Sequence, residues 1–153
     1  IIAYVERDPT YRPIIDALHA TPEPTAADAI SAAAAQVAHT LSAAAIVTFT
    51  TSGSTALRAA RERPTAPILS LTSNIETARR LALLWGAHSV HTEDATDFSE
   101  MVDKARELAV QDGFAKDGDK LVVTAGVPFG TPGATNVLRI TEVDDPANGS
   151  AAK

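Results

Sequence analysis

The chain of 153 residues contains no cysteine, which excludes disulfides and thiolate metal sites and is compatible with a cytoplasmic setting. Aromatic residues make up 5% of it, with a single tryptophan and a single methionine. A core short of large rings has to be built from aliphatic side chains and alanine, which suits helices packed closely on a sheet. No apolar run approaches the length of a membrane span, and no secretory signal precedes the first elements. Positive charge is also scarce: 13 Lys and Arg stand against 19 Asp and Glu, a net charge of -6. That balance argues against nucleic acid or an anionic membrane as partner, and any anionic ligand must be held by local donors. Apolar content of 45% over this length suffices for one domain with a full core.

The residues present read as alternating strands and helices. Residues 1–20 form one or two short helical pieces interrupted by Pro9 and Pro13, with Ile14, Ile15 and Leu18 as a small apolar face. An unpartnered face and a first residue that is not Met suggest a piece of a longer protein. Thr21-Pro22-Glu23-Pro24 reads as a stiff linker. Thr25 caps a long helix whose stripe is Ile30, Ala34, Val37 and Leu41, with Asp28 in the first turn. Ala43 to Phe49 is a buried strand, Ala56 to Arg63 a helix closed by Pro64, and Pro67 to Thr72 a second strand. Ser73 and Glu76 make a capping box for a helix from Asn74 to Trp85, ended by Gly86. Ala87 to His91 is a short third strand. Thr96 caps a helix with the stripe Phe98, Met101 or Val102, Ala105 and Leu108, stopped at Asp112-Gly113. Lys120 to Thr124 is a fourth strand, Gly126 to Asn136 a loop rich in glycine and proline, and Val137 to Val143 an alternating edge strand. Residues 144–153 are a polar, frayed tail.

This order predicts an α/β fold: a three-layer sandwich around a mostly parallel five-stranded sheet, helices on both faces, and a last antiparallel edge strand. The boundaries are 1–24 for the preceding region and linker, 25–143 for the α/β domain and 144–153 for the tail. In such sheets ligands bind beyond the carboxyl ends of the strands. Two segments lie there, the Gly126–Asn136 loop and the stretch Thr50-Thr51-Ser52-Gly53-Ser54-Thr55. The latter puts hydroxyls and a glycine between a strand and a helix N-terminus, where backbone amides lack partners and the helix dipole is positive. It reads as an anion cradle suited to phosphate, or simply as a turn and helix cap.

Several motifs together resemble the C-terminal domain of pyruvate kinase. They are Thr25 to Ser31, Thr51 to Ala56, Asn74 to Leu83, Val123 to Pro128 and Gly130 to Asn136; their order and spacing agree from about Asp28 to Val143. The resemblance implies a control module. Thr50, Thr51, Ser52, Gly53, Ser54 and Thr55 would grip the phosphate of a sugar-phosphate effector. Gly130, Thr131, Pro132, Gly133, Ala134 and Thr135 would close over the sugar. The domain's surfaces would help build a homotetramer and meet the enzyme's own catalytic barrel. Phosphoryl transfer from phosphoenolpyruvate to ADP, with its magnesium and potassium, belongs to that barrel; no cofactor, metal or catalytic residue is expected in this chain, and residues 1–20 would be the barrel's last helix and its connection. With the resemblance, the phosphate reading of the cradle overtakes the capping reading.

Two departures bear on the ligand. Relatives that respond to fructose 1,6-bisphosphate supply a tryptophan and an arginine for the second phosphate, near the start of the last helix. Here that stretch carries Glu93, Asp94, Asp97 and Glu100, and carboxylates repel phosphate. Trp85, at the end of another helix, does not fill the position. Thr51 stands where some relatives carry lysine, which weakens the grip. Both favour a sugar monophosphate, with a nucleotide monophosphate bound elsewhere in the parent enzyme as a further possibility. His19, His39, His88 and His91 share no i, i+4 spacing for a metal. Ser52 lacks the surroundings of a nucleophile elbow. Ser70 and Thr72 end a strand, Arg79 and Arg80 read as a solvated or interface pair, and Arg139 as an exposed edge charge.

Overall fold

Ala45–Phe49 forms strand β1, and all five of its side chains are buried. It is the centre of the sheet in the computed structural model, which describes residues 2–18, 21–128 and 134–144. The elements are α1 (Ile2–Glu6), α2 (Tyr11–Ala17), α3 (Ala26–Leu41), β1, α4 (Ser54–Arg61), β2 (Ile68–Thr72), α5 (Ile75–Leu81), β3 (Ala87–His91), α6 (Phe98–Gln111), β4 (Lys120–Gly126) and β5 (Thr135–Glu142). The strand order is β3-β2-β1-β4-β5. The first four strands are parallel, with Ile46 opposite both Ile68 and Val122. β5 runs antiparallel along β4, with Arg139 opposite Val123. The expected fold class is therefore the observed one.

Alternation along β1 divides the core. Ala45, Val47 and Phe49 join Leu69, Leu71, Leu121 and Val123 in a cluster with Met101, Ala105 and Ala109 of α6. Ile46 turns to the other face, against Ala34 and Ala38 of α3, and Ile68 packs on Ala59 and Ala60 of α4. Alanine at the contact lines lets the helices lie close to the sheet, which is where the alanine-rich composition is used.

Several expected boundaries move, each for a local reason. Pro13 lies inside the first turn of α2 and does not interrupt it, since a first-turn residue needs no amide hydrogen. The buried line of α3 is Ala27, Ser31, Ala34 and Ala38; the larger Ile30 and Val37 sit half-buried beside it. Asn74, and not a Ser73–Glu76 box, caps α5: its Oδ1 accepts from the amides of Glu76 at 2.9 Å and Thr77 at 3.2 Å. The helix then ends at Leu81, four residues short of Trp85. Asp97 caps α6 through the Glu100 amide. Thr96 instead gives both its amide and its hydroxyl to the Glu100 carboxylate. β5 begins at Thr135, two residues earlier than its alternation suggested.

Asp28 and Glu100 both contribute to the acid limb of stability. Asp28 is 2% exposed; it accepts from the Thr25 hydroxyl at 2.5 Å and from Arg61, with Arg58 at 3.6 Å. The Thr25 hydrogen bond first, then the arginines against the opposing cost of desolvation, hold its pKa below the usual 3.8. Glu100 is pulled from 4.5 to about 2, first by Lys104 and then by the Thr96 hydroxyl and amide. Both folded-state values are depressed. Their stabilisation is complete above the ordinary values and is lost as pH falls through the folded ones. Melting temperature should therefore fall as pH drops from 4.5 toward 2, and Glu100→Gln should flatten that slope in thermal melts across the window.

Candidate anion-binding site

β1 ends beneath a loop that must reverse quickly into α4, and Gly53 makes the reversal. Its φ is +90°, a left-handed conformation that a side chain disfavours. A Cβ there would also meet Leu81 Cδ2 and Thr77 Cγ2, each at 3.4 Å. The Gly53 amide donates to Thr50 Oγ1 at 2.9 Å, and the Thr50 amide donates to the Leu71 carbonyl at 3.0 Å. Thr50 thus braces the loop from below and anchors it to β2. Gly53 is itself the N-cap of α4 and supplies no capping side chain. The amides of Ser54, Thr55 and Ala56 open the helix, where no intrahelical acceptor exists for them. Ser52 Oγ donates to Ser54 Oγ at 3.2 Å, with Ser52 exposed and Ser54 half-buried at the rim.

The loop is also held from α5. Thr77 Oγ1 donates to the Thr51 carbonyl at 3.0 Å. Arg80 Nη2 donates to the Ser52 carbonyl at 3.0 Å and reaches Thr77 Oγ1 at 3.3 Å. Arg80 is exposed like Arg79 and also brings a guanidinium to the edge of the loop, while Arg79 pairs with Glu76 at 2.8 Å. The sequence did carry a signal for this. Arg80 lies three residues after Thr77, on the same helical face, but the contact joins α5 to a loop 28 residues away. Thr55 is committed elsewhere: its hydroxyl is 2.7 Å from that of Thr135, and both are buried. This pins α4 to the start of β5.

Of the second expected segment, Ala134 and Thr135 are described, and Gly130, Thr131, Pro132 and Gly133 lie outside the described residues. Its two flanks converge. Asn136 exchanges hydrogen bonds with the Val127 amide and carbonyl at 2.9 and 2.7 Å. Gly126 lies so near β5 that a Cβ on it would be 2.6 Å from the Ala134 carbonyl oxygen. The acidic stretch before α6 is fixed as well. Lys104 Nζ donates to the carbonyls of Glu93 and Asp94, each at 3.0 Å, and pairs with Glu100 at 2.9 Å. Ala95 of this stretch is buried in one cluster with Phe49 and Leu71, so the connection passes beneath the carboxyl ends of β1 and β2.

Ser70 does not end its strand: it is the middle residue of β2 and accepts from Thr48 at 3.0 Å inside the sheet, whereas Thr72 closes β2 and its Oγ1 accepts from the Asn74 amide. His88 meets Asp112 at 3.1 Å, and Arg139 is exposed on β5. Among the described residues no group of three or more His, Asp or Glu side chains gathers as a metal ion would need. Nor, among them, is any helix long and apolar enough to cross a membrane.

Residues 28–141 match the family described as pyruvate kinase, alpha/beta domain. A pyruvate kinase of Methylorubrum extorquens is 50% identical over 143 residues, 94% of this chain and 30% of the relative. One from Agrobacterium vitis is 44% identical over 142 residues, 93% of this chain and 30% of the relative. One from Geobacillus stearothermophilus is 44% identical over 121 residues, covering 79% and 21%. The chain thus spans less than a third of the length of these relatives.

Proposed function

Because the chain belongs to the pyruvate kinase alpha/beta-domain family, we propose that it is the effector-binding and subunit-assembly part of such an enzyme, with the ligand phosphate held by the Thr50–Thr55 loop. The parent transfers phosphoryl from phosphoenolpyruvate to ADP in the cytoplasm as a homotetramer, with magnesium and potassium on its catalytic barrel. This chain carries none of that chemistry. One observation carries the reading: a loop with a left-handed glycine opens α4 under two serine hydroxyls, and Arg80 closes its edge. A phosphate there gains short hydrogen bonds from first-turn amides, favourable dipole interaction and a nearby cation. Arg80 offsets the lysine that Thr51 replaces.

The carboxylates of Glu93 and Asp94, their backbone tied down by Lys104, make a poor seat for a second phosphate and favour a sugar monophosphate. Regulation then takes the form of a population shift, limited by the ligand's differential affinity for two tetramer arrangements. Assembly without any ligand is the second reading, favoured by Ile140, 47% exposed on edge strand β5. A thermal-shift titration separates the two. Glucose 6-phosphate should raise the melting temperature with concentration, by the equivalent of about 2.7 kcal/mol at one hundred times its Kd, and fructose 1,6-bisphosphate should do no better. If glucose 6-phosphate, the bisphosphate, AMP and orthophosphate all leave the transition unmoved, the effector reading is wrong and assembly stands.

A further inference from the structure

We propose that Arg63 is the joint through which occupancy of the Thr50–Thr55 loop is passed along α4 to the two N-terminal helices. The inference rests on the effector reading above and adds to it a route of regulation. α4 has the loop at one end; two residues past the other end stands Arg63, with a φ of +46°. A left-handed residue with a side chain is strained, and one that precedes proline more so. Such outliers persist only where their surroundings hold them.

The holding contacts are specific. The Arg63 guanidinium carbon lies 4.4 Å from the centre of the Trp85 ring, within range of a cation–π attraction. Its carbonyl accepts from Arg12 Nη1 of α2 at 2.7 Å, and its amide donates to the Ala60 carbonyl of α4 at 3.1 Å. Trp85 in turn donates from Nε1 to Glu6 of α1 at 2.7 Å. One strained residue therefore touches α4, the turn before β3 and, directly or through Trp85, both N-terminal helices.

Those helices are otherwise loosely seated. None of the residues of α2 is buried, and Ile2, Tyr4, Ile14 and Leu18 are exposed. Between them and the body lies a cavity of about 410 Å³, lined by Tyr11, Ile15, Arg63, Pro67 and Trp85 among others. Among the described residues, the side-chain hydrogen bonds joining α1 and α2 to the body are Arg12 to Arg63 and Trp85 to Glu6. Directional pins of this kind would be made in one seating of the helices and released in another. A bistable contact of this kind is what carries coupling between distant sites. α4 is short and sits with Ala56, Ala59 and Ala60 buried on the sheet, so a tightened loop at its start displaces the helix as a unit and changes the strain at Arg63.

Trp85 is the only tryptophan, so its emission reads the joint directly. The whole chain would be titrated with glucose 6-phosphate while melting temperature and tryptophan emission are followed in parallel. The wild type should show both responses with the same midpoint. Arg63→Gly tolerates the positive φ and lacks the guanidinium; it should keep the thermal response and lose the emission response. Arg12→Ala, which leaves the left-handed residue alone, should behave likewise and serves if the glycine variant does not fold. A thermal shift without an emission change in the wild type overturns the joint and leaves the effector site standing, as do variants whose emission responds like the wild type. A wild type that shows no thermal shift with glucose 6-phosphate or orthophosphate removes the effector site and the joint together.

Discussion

Ser52→Ala combined with Thr55→Ala should sharply reduce the thermal protection given by a sugar monophosphate, and the two halves of the change should act differently. Ser52 is exposed at the rim of the loop and its hydroxyl bonds the neighbouring Ser54 hydroxyl, so removing that hydroxyl should leave stability nearly unchanged. A hydrogen bond to a charged phosphate contributes about 1.5–3 kcal/mol, so affinity should fall roughly 10- to 150-fold. Thr55 meets Thr135 in a buried contact of 2.7 Å. Its replacement leaves the Thr135 hydroxyl without a partner, which costs about 1–3 kcal/mol of stability. It also frees the start of β5 from α4, loosening the flank of the loop expected to cover the sugar. The singles should therefore separate in two assays: Ser52→Ala in ligand titration with an unchanged melting temperature, Thr55→Ala in the melting temperature of the unliganded chain. An unchanged affinity for glucose 6-phosphate in the double variant would sink the assignment of the loop.

How far the sequence reached depends on the range of each interaction. The buried runs at Ile46–Phe49 and Ile68–Leu71 and the helical spacings between them required the parallel sheet, because burial on both faces leaves a largely apolar run. The Thr50–Thr55 loop was legible for the same reason: strand, turn and helix start are adjacent in the chain. Caps were read to within one residue. Asn74 took the place expected of Ser73, and Asp97 that of Thr96, because neighbouring polar residues compete for the same amides and backbone direction decides between them. Asp28 read as a residue favoured by the helix dipole; the structure makes it the buried partner of Arg61, 33 residues away. Thr55 on Thr135 and Arg63 over Trp85 were illegible, and of Arg80 on the loop the sequence showed only the helical face it shares with Thr77. Each joins segments that no local periodicity relates, and each depends on a side-chain direction set by packing.

Met101→Ala should be among the most damaging single truncations in the helix layer formed by α6, and its neighbour is the control. The spacing of that helix left Met101 and Val102 as alternatives for one core position, since they differ by only 100° around the axis. In the structure Met101 has no exposed surface and lies in the cluster of Val47, Leu69, Leu121 and Val123, whereas Val102 is only half-buried at its margin. Truncating a buried methionine removes its transfer free energy and leaves a cavity that a close-packed sheet cannot collapse to fill, a loss of about 2–5 kcal/mol. For a chain of this size each kilocalorie lowers the melting temperature by about 2–4 °C, so the variant should melt roughly 4–20 °C lower. Val102→Ala loses fewer methyl groups from a site that water already reaches and should cost under about 1.5 kcal/mol. Thermal melts of the two variants fix the rotation of α6 about its own axis. A larger loss at Val102 than at Met101 would mean that the helix is turned by one residue. That turn would also swing Lys104 away from the Glu93 and Asp94 carbonyls, and the acidic stretch would no longer be held at the carboxyl ends of β1 and β2.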